Sequence, residues 1–452
     1  MKLFTKSYMV LALGLCSLPA QVLAQFTLSG QVRTRTELRD GFGSPLTSEQ
    51  TPALFTSQRT RINVGYAGYR TKFFAAIQDV RVWGQDGSAN NRTTNADLNG
   101  LMLHEAWAEI SLLDTAITNT GKYLALKIGR QELMYDDSRL LGNLDWLQQA
   151  RRHDAAVLKY EQGGFMAHLG AAYNQNRELA AGQLYNGVPT GYPAGTNGIG
   201  TMYKSLQYLY LGKKLKVGNA SFLVLKDDFN RYSTSATGIK VLEKGTWSRV
   251  TMGPYLNTKL GKNLGLNASA YLQTGRDKDG KTLRASTFSV STLYQVNKYF
   301  SVGPGVDYLS GNAPGSTVSH RFDPLYGTPH KFWGQMDYFY VTNGFGPGGL
   351  ANYYLKSAFT LTKKLSGTAD YHVFQSPNTV LSGDVPLSSK SLGSEFDLIL
   401  NYKMAPAIGF QAGYAHYFST PTLEAAKGIS TTRTGANWAY LMINVTPQFL
   451  TK

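Results

Sequence analysis

Polar and apolar residues alternate along most of this chain, as they do in β-strands that separate two environments. In "FTLSGQVRTRTELRDG", which begins at Phe26, the even positions are mostly apolar or small. The odd positions from Gln31 to Arg39 are polar or charged. Side chains of a strand point alternately to its two faces, so this segment places three arginines and a glutamate on one face.

Further segments repeat this pattern and predict more strands. In each of them, charged residues and apolar residues fall on opposite faces of the predicted strand. The charged faces hold Arg59 and Arg61, then Asp79 and Arg81, then Lys127. The corresponding apolar faces hold Ile62 and Val64, then Val80 and Val82, then Leu126 and Ile128. Later stretches are typical of hairpins, such as the one around Asp279-Gly280. A surface strand of a soluble sandwich also alternates, so the decision depends on the whole chain.

The composition favours a membrane barrel over a soluble β-protein. Apolar runs after residue 24 are short and interrupted, whereas a closed β-barrel satisfies every backbone polar group in lipid without a helix. Aromatic residues make up 12% of the chain, with 28 Tyr, and there are 47 Gly, which suits interfacial girdles and tight turns. We predict an all-β fold, a single-chain transmembrane antiparallel β-barrel over residues 25–452.

The first 24 residues have the features of a signal peptide. Lys2 and Lys6 precede a short apolar run, and small residues end at Ala24, where we expect cleavage. The run is too short for a membrane anchor. Cys16 is the only cysteine, so the mature chain has no disulfide.

The charge pattern points to the interior of the barrel. The chain has 45 Lys and Arg against 29 Asp and Glu, a formal net charge of +16. Charged side chains that faced hydrocarbon would each cost about 2–4 kcal/mol near the midplane, so we expect them in the lumen. The basic residues follow strand faces in single file and form no surface patch, which excludes a nucleic-acid partner.

The stretch "GRQELMYDDSRLLGNLDWLQQARRHDA", residues 129–155, leaves the alternation and is crowded with charge. We interpret residues 136–149 as an excursion at a rim or into the lumen, with Asp154 among its balancing acids. The predicted pore-lining residues are Arg33, Arg35, Arg59, Arg61, Asp79, Arg81, Lys127, Arg130, Asp136, Asp137, Arg139, Arg151 and Arg152. A lumen with excess positive charge concentrates anions, and arginine binds carboxylates through two hydrogen bonds. Structural salt bridges that hold a loop are the alternative.

Four runs resemble one known family. The same stretch, together with "VDYLSGN", "FDPLYGTPHKFWGQMDYFY" and "YHVF", is similar to the alginate-export family of outer-membrane barrels. The resemblance implies a monomeric barrel of about 18 strands (16–18) in the outer membrane of a Gram-negative cell. It also implies an electropositive constriction for an anionic polysaccharide, at positions matching Arg61, Arg81, Arg130 and Arg152 with acidic partners Asp79, Asp136 and Asp137.

Other chemistry is weakly represented. The seven histidines are too dispersed to predict a metal site, and a structural hydrogen bond is favoured for His330. Ser319-His320 lacks a nucleophile motif, so we expect neither an enzyme nor a cofactor. In "GRDKDGKT" a hairpin turn is favoured over weak calcium binding.

We therefore expect an outer-membrane channel for anionic solutes, with export of an anionic polysaccharide such as alginate as its specific form. Its partners would be that polysaccharide or small anions, outer-membrane lipids and periplasmic export proteins. One alternative is a general or sugar-permeable porin whose interior charges are structural. Another is a plugged barrel that acts as an adhesin or receptor.

Overall fold

The computed structural model describes residues 25–84, 101–114, 121–174, 203–234, 236, 240–339, 346, 348–430 and 435–451. The predicted signal peptide, residues 1–24, lies outside these residues, as do most of the long polar stretches at 86–99 and 182–201. In the described part of the chain, no helix is long and apolar enough to cross a membrane.

Strands dominate the described chain, with one short helix, α1 (Pro421–Lys427), and one 3-10 turn, Pro329–Lys331. The strands are β1 (Gln25–Asp40), β2 (Ala53–Gly68), β3 (Thr71–Val82), β4 (Met102–Ser111), β5 (Lys122–Gln131), β6 (His153–Gln162), β7 (Phe165–Tyr173), β8 (Ser205–Leu215), β9 (Gly218–Thr234), β10 (Lys240–Leu260), β11 (Leu264–Arg276), β12 (Thr282–Asn297), β13 (Phe300–Leu309), β14 (Leu350–Thr360), β15 (Leu365–Gln375), β16 (Leu381–Ser382), β17 (Val385–Pro386), β18 (Ser391–Ala405), β19 (Ile408–Phe418), β20 (Gly435–Val445) and β21 (Gln448–Thr451).

The strands close into an antiparallel barrel, which confirms the predicted fold. Each strand pairs with the next, except that β15 pairs with β18 because β16 and β17 form a separate ribbon. The barrel closes where β20 pairs with both β19 and β1. Pro447 lies in the break after β20, and β21 continues beside β1. With β20 and β21 counted as one interrupted strand, the barrel has 18 strands.

Alternation along β1 and β2 separates the outer face from the lumen. Val32 and Ile62 face outward and are 41% and 43% exposed, as lipid-facing residues should be. Their neighbours Arg33 and Arg59, which lie directly opposite each other in the register, are buried inside the barrel. The predicted orientation of these two strands is therefore correct.

Connections differ between the two rims. At the rim that holds Gln25, several turns are only two residues long, as at Gly163-Gly164. At the opposite rim, long connections join β5 to β6 and β13 to β14. We call residues 132–152 the first inward segment and residues 310–339 the second inward segment.

The two inward segments fold into the lumen and pack on each other. Leu144 in the first and Met336 in the second are completely buried although neither lies in a strand. Backbone hydrogen bonds join Tyr326 to Leu140 and to Gly142, each at 3.0 Å. The predicted excursion of residues 136–149 is thus a luminal segment.

Candidate functional site

An arginine row lines the luminal side of β1 and β2 and binds the first inward segment. It consists of Arg33, Arg35, Arg39, Arg59 and Arg61. Asp145 of the first inward segment lies 3.1 Å from Arg33, 2.7 Å from Arg59 and 3.8 Å from Arg61. One carboxylate therefore bridges three guanidinium groups.

The other end of the row holds a second carboxylate. Glu37 is buried between Arg35, at 2.8 Å, and Arg39, at 2.9 Å, and it also accepts from the indole of Trp438. Arg35 donates in addition to the carbonyl of Trp146 and lies 4.0 Å from the centre of its ring. The five guanidinium groups of the row thus bind two carboxylates directly, and Glu105 and Glu132 also act on Arg61.

This positive charge acts on Asp145. Burial alone would raise the pKa of Asp145, but Arg59 and Arg33 outweigh it, so the pKa of this carboxyl is lower than usual. Its side chain remains 45% exposed. Asp145 is therefore an ionised anchor that water still reaches.

Arg61 has one unused donor, although Arg39 is the most exposed member of the row, with 33% of its side chain exposed. The Nε of Arg61 donates to Gln78 at 2.5 Å, whereas its Nη2 has no hydrogen-bond partner among the described residues. The Arg61 side chain is 11% exposed, against 1% for Arg59. The unused Nη2 is itself buried, so an anion oxygen accepts from it only if the surrounding side chains move.

Lys127 lies in a neighbouring region of mixed charge on β4 to β6. Its Nζ is 3.8 Å from the centre of the Trp107 ring. Glu109, opposite Lys127 in the register, binds Lys159 at 2.8 Å and Lys72 at 3.1 Å. The predicted luminal position of Lys127 agrees with this strand phase.

Asp79, Arg81 and Arg130 were predicted in the lumen, and this placement is wrong. Arg81 lies opposite Gln58 in the β2–β3 register, in phase with the outward Ile77. Asp79 lies on the same outer face as Arg81 and forms an ion pair with it at 2.7 Å. Arg130 is in phase with the outward Ile128.

The partner of Arg130 lies on the same outer face. Arg130 makes two hydrogen bonds to Asp154, of 2.8 and 2.9 Å. Both outward arginines lie where their strands end at the long-loop rim, so they stand beyond the apolar band that the alternation rule describes. Their charges are satisfied outside the lumen.

The acids Asp136 and Asp137 do not accompany the arginine row either. Asp136 accepts from Tyr210 at 3.0 Å and from Ser221 at 2.7 Å, on β8 and β9, and burial raises its pKa. Asp137 forms an ion pair with Arg139, and Arg139 forms a second one with Asp307 on β13 at 3.1 Å. These residues tie the first inward segment to another part of the wall, and Asp145 takes the role expected of them.

The two remaining predicted arginines, at the end of the first inward segment, differ from each other. Arg151 is buried and donates to the carbonyl of Gly327 at 2.5 Å, which joins the two inward segments. Arg152 is partly exposed and lies 3.9 Å from the sulfur of Met102 on β4. Arg139 and Arg151 are therefore interior structural residues and do not form an open pore wall.

Two further clusters were not predicted. Arg249 on β10 binds Asp227 at 2.6 Å and Asp323 at 2.7 Å, which fastens the second inward segment to β9 and β10. His104, Glu105 and Glu132 place one ligand atom each within 4.8 Å of one another, a spacing that could hold a metal ion. The strand pairing that assembles these clusters leaves no local signal in the sequence.

Two motifs that the sequence analysis discussed have structural roles in the fold. His330 hydrogen-bonds Asp337 at 2.8 Å and stacks on Trp146 with ring centres 4.2 Å apart. Asp277 accepts from the backbone of Asp279 and Lys281, as in a hairpin turn. Both favoured interpretations are confirmed.

Residues 24–184 match the family model for alginate export. Over these residues, the predicted resemblance to the alginate-export family is confirmed. The match contains the long charged run at 129–155 and ends before the other three runs. No curated protein matches the chain.

Solved structures show the same fold at low sequence identity. OpdO of Pseudomonas aeruginosa aligns with a TM-score of 0.59 and 13% identity, covering 94% of this chain and 98% of that one. OccAB4 of Acinetobacter baumannii aligns with a TM-score of 0.59 and 12% identity, covering 96% of this chain and 100% of that one. Pseudomonas aeruginosa OpdK, solved with vanillate, aligns with a TM-score of 0.57 and 11% identity, covering 95% of this chain and 100% of that one. The alginate-export match therefore lies in a chain with the same barrel fold as these structures.

Proposed function

We propose that this barrel is an outer-membrane channel that passes anionic solutes along the arginine row. The observation that carries the proposal is the cluster of five guanidinium groups on one side of the lumen, which bind two carboxylates directly, while Glu105 and Glu132 act on Arg61. Walls of low polarity and narrow geometry strengthen the field of such a cluster. Anions are therefore concentrated beside the first inward segment.

The members of the row have different roles in this proposal. Arg33 and Arg59 are buried against Asp145 and act on a solute only through their field. Arg61 adds to that field and keeps one buried donor unused, which an anion reaches when the side chains over it move. Lys127 adds positive charge farther along the wall, among glutamates.

The test is the reversal potential of the refolded protein in a planar bilayer under a salt gradient. We expect anion preference, and we expect Arg61→Gln to reduce it. Arg81→Gln is the matched control, since it removes the same charge from the outer face. Equal effects of the two substitutions, or none, would contradict a selectivity role for the luminal row.

The cargo forms a second level of the proposal. The alginate-export match favours a polyuronate, and vanillate in OpdK shows that one barrel of this fold takes a small aromatic carboxylate. Addition of short polyuronate chains or of vanillate during the same recording separates the two. Dose-dependent block by the polyuronate supports polysaccharide export, and block by vanillate alone supports a small-carboxylate channel.

A plugged barrel is the second candidate function. It is favoured by the docking of both inward segments on the wall and on each other through Trp146 and His330. A refolded barrel without conductance would support this receptor-like role. Weak selectivity that is insensitive to Arg61→Gln would instead indicate a general porin with structural interior charges.

A further inference from the structure

Two buried carboxylates lie directly beneath the second inward segment. Glu395 and Asp397 are two residues apart on the luminal face of β18 and are 0% and 3% exposed. The backbone N–H of Met336 donates to Oε1 of Glu395 at 2.8 Å, and that of Gln335 donates to Oδ2 of Asp397 at 3.3 Å. A Cβ at Gly334 would collide with Oε2 of Glu395, so the segment covers the pair at very close range.

The other oxygen of each acid has no donor. Oε2 of Glu395 and Oδ1 of Asp397 are buried and accept no hydrogen bond from any described residue. Among the described residues, neither acid forms an ion pair with a lysine or arginine, and His372 lies 3.8 Å from Asp397. Two adjacent carboxylates with bare oxygens and no cation cannot both be ionised in such a site.

Lys356 of β14 is a cation that acts on Asp397, and the acids around it outnumber it. It is 4.0 Å from Asp370, which lies opposite Asp397 on β15, while Asp337 is bound to His330. Tyr417 of β19 lies opposite Glu395 and stacks at 3.8 Å on Tyr338 of the segment. One lysine does not balance these acids, so the surroundings again favour a proton on the pair.

We propose that Glu395 and Asp397 share one proton and that this proton latches the second inward segment in the lumen. The shared proton provides the missing donor and keeps the pair at a single negative charge. When the proton leaves, two charges must be hydrated, and water reaches them only if Gly334 to Met336 move away. Loss of the proton and release of the segment are therefore linked.

The latch would make opening of the channel depend on pH, and a test by conductance rests on the proposed function. Amide exchange does not depend on conduction, so it tests the latch alone. In detergent-solubilised protein, we would compare exchange at Gln335 and Met336 in the wild type and in Glu395→Gln, from about pH 6 to about pH 10. The glutamine amide donates permanently where the shared proton would, so this variant mimics the protonated pair.

Comparison at the same pH removes the intrinsic pH dependence of exchange. We expect equal protection at the acid end and at least roughly tenfold faster exchange in the wild type at the alkaline end, with conductance that rises only in the wild type. Glu243→Gln, in an exposed ion pair with Arg231, is the control and should behave as the wild type. Identical exchange in wild type and Glu395→Gln at every pH would overturn the latch.

Lys427 of α1 is a competing explanation. Its Nζ donates to the carbonyls of Tyr338 and Gly43, and burial lowers its pKa to about 8. If Lys427 were the switch, Glu395→Gln would still open in alkali and Lys427→Gln would be insensitive, which overturns the proposal. If exchange changes as expected but no variant conducts, the latch stands and the channel function fails.

Discussion

Replacement of Asp145 by asparagine should loosen the first inward segment. Asp145 is the counter-ion of Arg33 and Arg59, which lie opposite each other on β1 and β2. Removing one partner of a fully buried ion pair costs about 3–5 kcal/mol. Because the Asp145 side chain is 45% exposed, solvent screening reduces this value, and we expect about 2–3 kcal/mol for the docking of the segment.

The measurement is limited trypsin cleavage after Arg139, which is 5% exposed while the segment is docked. A loss of about 2–3 kcal/mol raises the undocked population, and with it the cleavage rate, by roughly 30- to 150-fold. The matched control is Asp79→Asn, which breaks an ion pair with Arg81 on the outer face. A cleavage rate for Asp145→Asn within about twofold of wild type would refute the anchor, as would an equal effect of the control.

Two further predictions concern the same segment. The pKa of Asp145 is lowered in the docked segment, so ionised Asp145 stabilises docking fully above the ordinary pKa of about 3.9. This stabilisation is lost as the pH falls through the lower native pKa. The current noise of the wild type should therefore approach that of Asp145→Asn only in strong acid. A difference that disappears already near neutral pH would contradict this assignment. Trp146→Ala removes the stack on His330 and the contact with Arg35, and we expect about 2–3 kcal/mol weaker docking with faster trypsin cleavage in both inward segments. Trp83→Ala, at an outer-face tryptophan that is 59% exposed, should leave cleavage unchanged.

The fold was predictable because alternation is a local property of the chain. In β1 and β2 the arginines keep one phase along the whole strand, so Arg33 and Arg59 were assigned to the lumen correctly. The same rule fails for Arg81 because β3 extends past the apolar band, where a polar outer face has no penalty. Val80 and Val82 beside Arg81 face the lumen, although their apolar character suggests the outside.

The alternation along β5 predicts the outward orientation of Arg130. Leu126 and Ile128 face outward opposite Lys127, so Arg130 must face outward as well. The crowding of charge at residues 129–155 predicts Arg130 in the pore wall, and the family resemblance implies that it lies at the constriction, but neither argument fixes the face of a residue. The role of Asp145 is not predictable for a different reason, since it depends on a loop that crosses the lumen to Arg33 and Arg59, which lie 112 and 86 residues earlier. Such a contact is set by tertiary packing and has no period in the sequence.

In the proposed channel, structural and functional roles fall on different members of the arginine row. Arg33 and Arg59 hold the first inward segment through Asp145, and their effect on solutes is a field that salt screens over about 8–10 Å. Arg61 keeps a buried donor unused, and if the side chains over it move, its effect also includes direct contact with an anion, which salt weakens less. Anion preference that collapses completely at high salt would therefore assign selectivity to the buried field. A residual preference that is lost in Arg61→Gln would assign it to contact at this one side chain.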